Sequence, residues 1–292
     1  MQQWKTRWQR APWSCATKIS GEYLPRALRM TTEAVSIETV KAYWDRRPCN
    51  IRHSTLPLGT KEYFDEVEAR KYYVEPHIPA FAQFERWAGK RVLEVGCGIG
   101  TDSINFARAG ASVTAVDLST ESLAVARTRA KVFGLEKRIE FFAADAELLS
   151  SVVPVAPFDL VYSFGVIHHT PNPARAVAEI GKFMSKSSEL RMMVYAKNSW
   201  KRIMIDAGFD QPEAQSGCPV AYTYSQDEIR KLLQGFDVVS LSQDHIFPFV
   251  LEKYVSYEYE LTPWFASMPR PMFRALERAL GWHTLVVARL SR

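Results

Sequence analysis

VLEVGCGIGT, residues 92–101, has the pattern of a buried strand that runs into a glycine-rich turn and then into a helix. Glycine allows positive φ angles and lets a ligand approach the backbone closely, and the first turn of a helix offers unpaired N–H groups. A dinucleotide-binding turn has the spacing GxGxxG, with pyrophosphate at the helix start. Here the glycines are Gly96, Gly98 and Gly100, and Glu94 precedes them. A carboxylate there repels pyrophosphate, so the turn favours a ligand with an ammonium group, and a dehydrogenase is the weaker alternative.

Apolar strands and amphipathic helices alternate from residue 90 onward. Asn172-Pro173 and the pair Ser225 and Glu228 have the residue types that begin helices. Strands buried on both faces are nearly continuously apolar, and most of the six predicted strands are: Arg91–Val95, Ser112–Val116, Ile139–Ala143, Phe158–Ser163, Leu190–Tyr195 and Thr284–Ala288. This alternation with short connections predicts an α/β fold with a doubly wound parallel sheet.

The chain divides into three predicted regions: a basic leader at 1–29, a helical cap at 30–88 and a ligand-binding domain at 89–292. Two long segments near 196–222 and 245–281 interrupt the alternation of the domain, and the second is rich in aromatic residues. Insertions of this size beside a sheet edge often form lids. We therefore predict a C-terminal lid insertion.

The net charge of +5 lies entirely in the leader, which has six basic residues and one acid, whereas residues 30–292 are neutral. Nucleic-acid binders usually carry a basic face on the folded domain, so no nucleic-acid partner is expected. We predict a disordered extension. A targeting segment and an ordered arm stay open, because Trp4, Trp8 and Trp13 are spaced for one helical face.

Composition excludes two further classes. No apolar run approaches the roughly 20 residues of a membrane helix, so no membrane span is expected. The cysteines are far apart and form no CxxC pair, and they suggest neither a disulfide framework nor a zinc site: Cys15, Cys49, Cys97 and Cys218. We therefore predict no metal site and a cytoplasmic location.

Four strand ends together resemble a known family. Glu94 through Gly100 looks like motif I of class I S-adenosylmethionine-dependent methyltransferases. Asp117, nineteen residues past Gly98, and Asp145, after the third strand, fall where that family has its second and third acids. The sequence after the fourth strand, through Ile167-His168-His169, is similar to small-molecule members of the ubiquinone- and menaquinone-biosynthesis type.

The resemblance covers roughly residues 88–195 and implies a Rossmann-like sheet of order 3-2-1-4-5-7-6 with an antiparallel last strand. One departure is the serine-rich stretch 185–188, where relatives usually have a proline-glycine-glycine turn. The resemblance also implies S-adenosylmethionine as cofactor, with Asp117 on the ribose and Asp145 on the adenine amino group. The implied cofactor-binding residues are Glu94, Gly96, Cys97, Gly98, Gly100, Asp117, Leu118, Asp145, Ala146 and Phe164, with Tyr73 of the cap closing over the cofactor. A tight turn, a helix cap and a loop acid are the plainer interpretations of the glycines, Asp117 and Asp145.

His169 and His168 are the candidate catalytic residues, with His169 ahead. A neutral imidazole takes a proton near physiological pH, whereas in similar proteins this histidine often only lines the pocket or caps a helix. The predicted activity is transfer of a methyl group to an O, N or S nucleophile of a small molecule. The alternative is a protein or RNA acceptor. Ser163-Phe164-Gly165-Val166 lacks the Asn/Asp-Pro-Pro-Tyr of enzymes that methylate amide or exocyclic amino nitrogens. A non-catalytic cofactor-binding protein is a third possibility.

Overall fold

The computed structural model describes residues 35–209 and 217–291. The predictions made for the leader at 1–29 lie outside the described residues.

A seven-stranded sheet forms the centre of the fold, with strand order β3-β2-β1-β4-β5-β7-β6. β1 to β5 run parallel, and β7 pairs antiparallel with both β5 and β6. The strands are β1 Arg91–Val95, β2 Ser112–Asp117, β3 Ile139–Ala143, β4 Phe158–Phe164, β5 Met184–Tyr195, β6 Phe236–Asp244 and β7 His283–Leu290. The predicted α/β class, the strand order and the antiparallel last strand are confirmed.

β6 was not among the six strands expected from apolar runs. It is an edge strand whose residues are all partly or fully exposed, and its register with β7 shifts between Val238 and Ser240. A strand with one face in solvent alternates polar and apolar residues instead of forming an apolar run. The serine-rich stretch also differs from expectation, because it lies inside β5, where Ser188 donates a hydrogen bond to the carbonyl of Phe158.

Helices lie on both faces of the sheet. Side chains of Ser36, Thr60, Ser119, Asn172 and Ser225 cap helix N-termini, as small polar residues do by accepting from free N–H groups. The helices are α1 Ile37–Arg46, α2 Lys61–Val74, α3 His77–Ala82, α4 Thr101–Arg108, α5 Thr120–Val132, α6 Pro173–Gly181, α7 Trp200–Asp206, α8 Gln226–Leu232, α9 Leu251–Val255, α10 Pro263–Ala266 and α11 Arg270–Leu280. Short 3-10 helices span Phe84–Trp87, Ala146–Ser151 and Ile167–His169. Within the described ranges, no helix combines the length and the apolar character that a membrane crossing needs.

Two apolar cores fix the sheet between its helical layers. Ile104 and Phe106 of α4 belong to the core on one face, and Ile180 of α6 belongs to the core on the other. A smaller cluster joins Phe64 of α2 to Ile99 of the glycine turn. The helices before the sheet are therefore packed directly over the carboxyl end of β1.

Candidate functional site

The glycine turn is held between β1 and β2. The amides of Gly96 and Cys97 donate to the carbonyl of Val116, at 2.7 and 2.9 Å. A Cβ on Gly96, at φ +83°, would lie 2.0 Å from Val166 Cγ2, whereas one on Gly98, at φ +54°, would meet no atom within 4 Å. Gly96 is thus required by packing, and Gly98 leaves the open space that a ligand needs. Cys97 is buried, and Gly100 ends the turn at the start of α4.

Asp117 ties the end of β2 to this turn. One carboxylate oxygen accepts from the amide of Gly98 at 2.7 Å, and the other accepts from the amide of Ser119 at 2.8 Å. Burial raises the pKa of Asp117 to about 6, against the opposing effect of these two bonds. Each oxygen keeps a second lone pair, so the carboxylate can still accept from ligand hydroxyls. The adjacent Leu118 is half-buried.

Glu94 lies in an acidic pair at the end of β1. Its side chain is 3% exposed and accepts from the hydroxyl of Ser103. Burial, reinforced by the negative charge of Asp102, raises the pKa of Glu94 to about 8. Asp102 itself binds the ammonium of Lys71 at 2.7 Å and the hydroxyl of Tyr72 at 2.8 Å. A further positive charge beside Glu94 would favour its carboxylate form.

Asp102 and Lys71 were missed by the sequence analysis. They come from different elements, α4 and α2, and no short motif relates them. Two signals were available in the sequence. Asp102 occupies the first turn of the helix after Gly100, and Lys71 lies on the helix that carries Tyr73. The hydroxyl of Tyr162, on β4, also donates a hydrogen bond to Asp102, at 3.1 Å.

Asp145 follows the third of three adjacent parallel strands. Its carboxylate accepts from the amide of Glu147 at 2.9 Å, which caps a short 3-10 helix that begins at buried Ala146. The amide of Ala144 donates to the carbonyl of Asp117 at 3.1 Å. Glu94, Asp117 and Asp145 therefore lie at, or within two residues of, the carboxyl ends of neighbouring strands on one edge of the sheet.

Tyr73 points to a different surface from the one expected. It is 57% exposed, and its ring packs against Tyr259 and Phe249 of the aromatic segment, with centroids 4.6 and 6.0 Å away. The preceding residue, Tyr72, is the one that reaches Asp102. Helix geometry turns consecutive side chains by about 100°, so only one of the two tyrosines can face α4.

His169 is oriented as a proton acceptor. Its Nδ1 lies 2.7 Å from the carbonyl of Val220. A carbonyl only accepts, so Nδ1 carries the hydrogen and Nε2 keeps its lone pair. The ring packs edge-on against Trp44 and Tyr195. Burial lowers the pKa of His169 to about 4, which keeps the imidazole neutral at physiological pH.

His168 lies deeper than His169. Neither of its ring nitrogens has a hydrogen-bond partner among the described residues, and its ring packs on Tyr195 at a centroid distance of 3.7 Å. It is fully buried, and burial holds its pKa well below the usual value. Of the two candidates, His169 has the geometry of a base. Phe164, at the end of β4, packs against His77 and His283.

Comparison with known proteins identifies the central part of the chain. The family model described as "Methyltransferase domain" matches residues 92–186. Residues 92–186 are therefore similar to a methyltransferase domain. The matched segment contains the glycine turn, the three acids and both histidines of the candidate site.

Curated relatives are similar to this chain over part of their length. The ubiquinone biosynthesis O-methyltransferase of Aromatoleum aromaticum is 34% identical over 111 residues, which are 38% of this chain and 46% of that protein. The enzyme of the same name from Nitrosococcus oceani is 36% identical over 103 residues, 35% of this chain and 42% of that protein. The chain thus spans less than half the length of these relatives.

Solved structures share the fold at low identity. Magnesium protoporphyrin IX methyltransferase from Synechocystis, with bound S-adenosylhomocysteine, has a TM-score of 0.59 at 16% identity and covers 88% of this chain and 100% of that one. An S-adenosylmethionine-dependent methyltransferase from Mesorhizobium loti has a TM-score of 0.51 at 20% identity, over 73% and 97% of the two chains. Both support the Rossmann-like class of the sheet.

Proposed function

We propose that this protein transfers a methyl group from S-adenosylmethionine to an O, N or S nucleophile of a small molecule and releases S-adenosylhomocysteine. One observation carries the proposal. Glu94, Asp117 and Asp145 lie at, or within two residues of, the carboxyl ends of three adjacent parallel strands beside an open glycine turn, within the segment that matches the methyltransferase family model.

Each acid suits a different part of the cofactor. In the proposed complex, Glu94 ionises and, with Asp102, attracts the ammonium group, because the lysine there, Lys71, is paired with Asp102. Asp117 accepts from the ribose hydroxyls through its remaining lone pairs, and Asp145 accepts from the adenine amino group. The amides of the glycine turn lie between these groups, and Gly98 supplies the space for close approach.

Methyl transfer needs alignment more than acid–base chemistry. The nucleophile's lone pair forms the new bond to the methyl carbon while the carbon–sulfur electron pair returns to sulfur, which becomes a neutral thioether. The enzyme contributes by holding the three atoms in line and excluding water. Where the nucleophile carries a proton, Nε2 of His169 accepts it. The carbonyl of Val220 fixes the orientation of the His169 ring by accepting a hydrogen bond from Nδ1.

The surrounding segments support a cap and a lid. Val74 at the end of α2 belongs to the same buried cluster as Phe249 and Tyr254 of the 245–281 segment. We propose that residues 35–88 and 245–281 together close the site over a small acceptor. The curated relatives are named O-methyltransferases, which favours oxygen as the first nucleophile to test. The cysteines are far apart in the sequence and suggest no disulfide framework, which favours the cytoplasm as the compartment of this protein.

A labelling experiment tests both the reaction and the acceptor class. The purified protein is incubated with methyl-labelled S-adenosylmethionine and a cell extract separated into small molecules, protein and RNA. We expect label in the small-molecule fraction and its loss with Asp117→Ala. Label confined to protein or RNA would replace the proposed acceptor. Absence of label from every fraction, with cofactor bound, would favour the non-catalytic alternative.

A further inference from the structure

A second group of buried polar side chains lies beyond Phe164, at the carboxyl end of β5. It consists of His77, at the start of α3, His245, just after β6, His283, at the start of β7, and Glu75. The three imidazoles are between 1% and 7% exposed, and Glu75 is 9% exposed. The proposed methyl-transfer chemistry uses none of them. Four polar side chains gathered in one buried place therefore require an explanation.

Their atoms converge on one point. One ligand atom each from Glu75, His245 and His283 lie within 4.8 Å of one another. Nε2 of His77 is 3.0 Å from Nδ1 of His283, which is 3.8 Å from the carboxylate of Glu75. In tetrahedral zinc sites neighbouring ligand atoms are roughly 3.3 Å apart, because the bonds are about 2.0–2.2 Å long. Shifts of about 1 Å or less would bring these atoms to a common ion.

His245 also has a backbone conformation that places its ring here. Its φ is +72°, in the left-handed region that favours glycine, and residues other than glycine adopt this conformation at a cost in free energy. Such strain clusters at functional sites. Its centroid lies 4.6 Å from that of His283 and 5.4 Å from that of His77. Among the described residues, neither imidazole nitrogen of His245 takes part in a hydrogen bond.

We infer that Glu75, His245 and His283 form a binding site for a divalent transition-metal ion of the zinc type, with His77 beside the set and in contact with His283. Imidazole nitrogen and carboxylate oxygen are the donors that such ions take from proteins. The set supplies one negative charge and two neutral nitrogens. The site is separate from the glycine turn, and its test does not depend on the proposed methyl transfer.

Lys201 provides a contrast between a cation site and an anion site. Its ammonium is buried near His245 and His283 and lies 4.9 Å from the ring of Trp282. A positive charge there opposes a bound cation and favours a bound anion. Lys201→Met therefore strengthens zinc binding if the site is a metal site, and it removes anion binding if the imidazoles serve an anion instead.

The test uses the full chain, freed of metal with a chelator and titrated with Zn²⁺ by calorimetry, with metal content measured after gel filtration. We expect one equivalent of zinc. His245→Ala and His283→Ala should each weaken binding by at least about 100-fold, more than the roughly 10–100-fold typical of outer-shell changes. His53→Gln, which changes a histidine beside Tyr254, should keep the wild-type affinity.

Cobalt provides a check that does not depend on loss of binding. The Co²⁺ form of His245→Cys should gain a thiolate-to-metal charge-transfer band that wild type lacks. Circular dichroism of each variant shows whether it is folded. The inference is overturned if wild type binds no zinc, if folded His245→Ala binds it with wild-type affinity, or if His245→Cys binds Co²⁺ without the new band. Phosphate binding that disappears in Lys201→Met, without zinc binding, would identify an anion site.

Discussion

Glu94 should release a proton when the cofactor binds. With a pKa of about 8 in the free protein, roughly nine-tenths of this side chain is protonated at pH 7. The ammonium of S-adenosylmethionine favours the carboxylate form and lowers that pKa. The free carboxyl must therefore ionise on binding, which costs about 1.4 kcal/mol at pH 7, a factor of ten in affinity.

The free-energy cost of ionising Glu94 falls as the pH rises. Ionisation of Glu94 should raise the affinity about tenfold for each pH unit between 5.5 and 7, or about 30-fold in total. The ligand's own amino group has a pKa of about 7.7–8.0 and stays charged over this range. Glu94→Gln removes this dependence. Asp117, whose pKa is about 6, titrates in both proteins, so the effect of Glu94 is the difference between the two pH profiles.

Isothermal titration calorimetry measures the effect in two ways. The slope of log Kd against pH should differ by about one between wild type and Glu94→Gln. The binding enthalpy at pH 7, measured in buffers of different ionisation enthalpy, should report about 0.9 proton released by Glu94 in wild type. Equal slopes and equal proton release in the two proteins would refute the reasoning about Glu94.

Three further predictions concern the same site. Asp117→Ala should weaken S-adenosylmethionine binding by a few kcal/mol, because hydrogen bonds to a charged group contribute about 1.5–3 kcal/mol each. Calorimetry measures the change in Kd, and an unchanged Kd would contradict the ribose assignment. His169→Ala should lower kcat with little change in cofactor Kd. Wild-type kcat should show no inflection from His169 between pH 6 and 8, because its imidazole becomes charged only as the pH falls towards its pKa of about 4. Steady-state kinetics across this pH range measures both effects. Gly96→Ala should lower the melting temperature more than Gly98→Ala, because only at Gly96 does the new Cβ collide with Val166. Gly98→Ala should instead lower cofactor affinity. Thermal unfolding that ranks the two variants in the opposite order would show that the turn is not packed as described.

The strands of the central sheet were predictable because parallel strands buried on both faces are apolar throughout. The same reasoning missed β6, whose half-exposed residues leave no apolar run to detect. Glu94, Asp117 and Asp145 were predictable as a group because each lies at or near the carboxyl end of a strand. The alternation of strands and helices along the chain predicts parallel strands, and the carboxyl ends of parallel strands share one edge of the sheet.

Interactions between distant elements could not be predicted in this way. Asp102 gains its role from Lys71, 31 residues away, and the pairing depends on how α2 packs over α4. The imidazoles of His77 and His283 are 206 residues apart in sequence, so no ligand spacing indicates a metal site, and the sequence predicted none. The choice between Tyr72 and Tyr73 likewise depends on the rotation of a helix, which a shift of one residue changes by about 100°.

A crystal structure of the protein with S-adenosylhomocysteine tests the central claim most directly. The account predicts the nucleoside at the carboxyl edge of β1, β2 and β3, with the carboxylate oxygens of Asp117 about 2.5–3.0 Å from the two ribose hydroxyls and the ammonium beside Glu94. A ligand bound elsewhere, or one whose ribose lies beyond hydrogen-bond reach of Asp117, would contradict it.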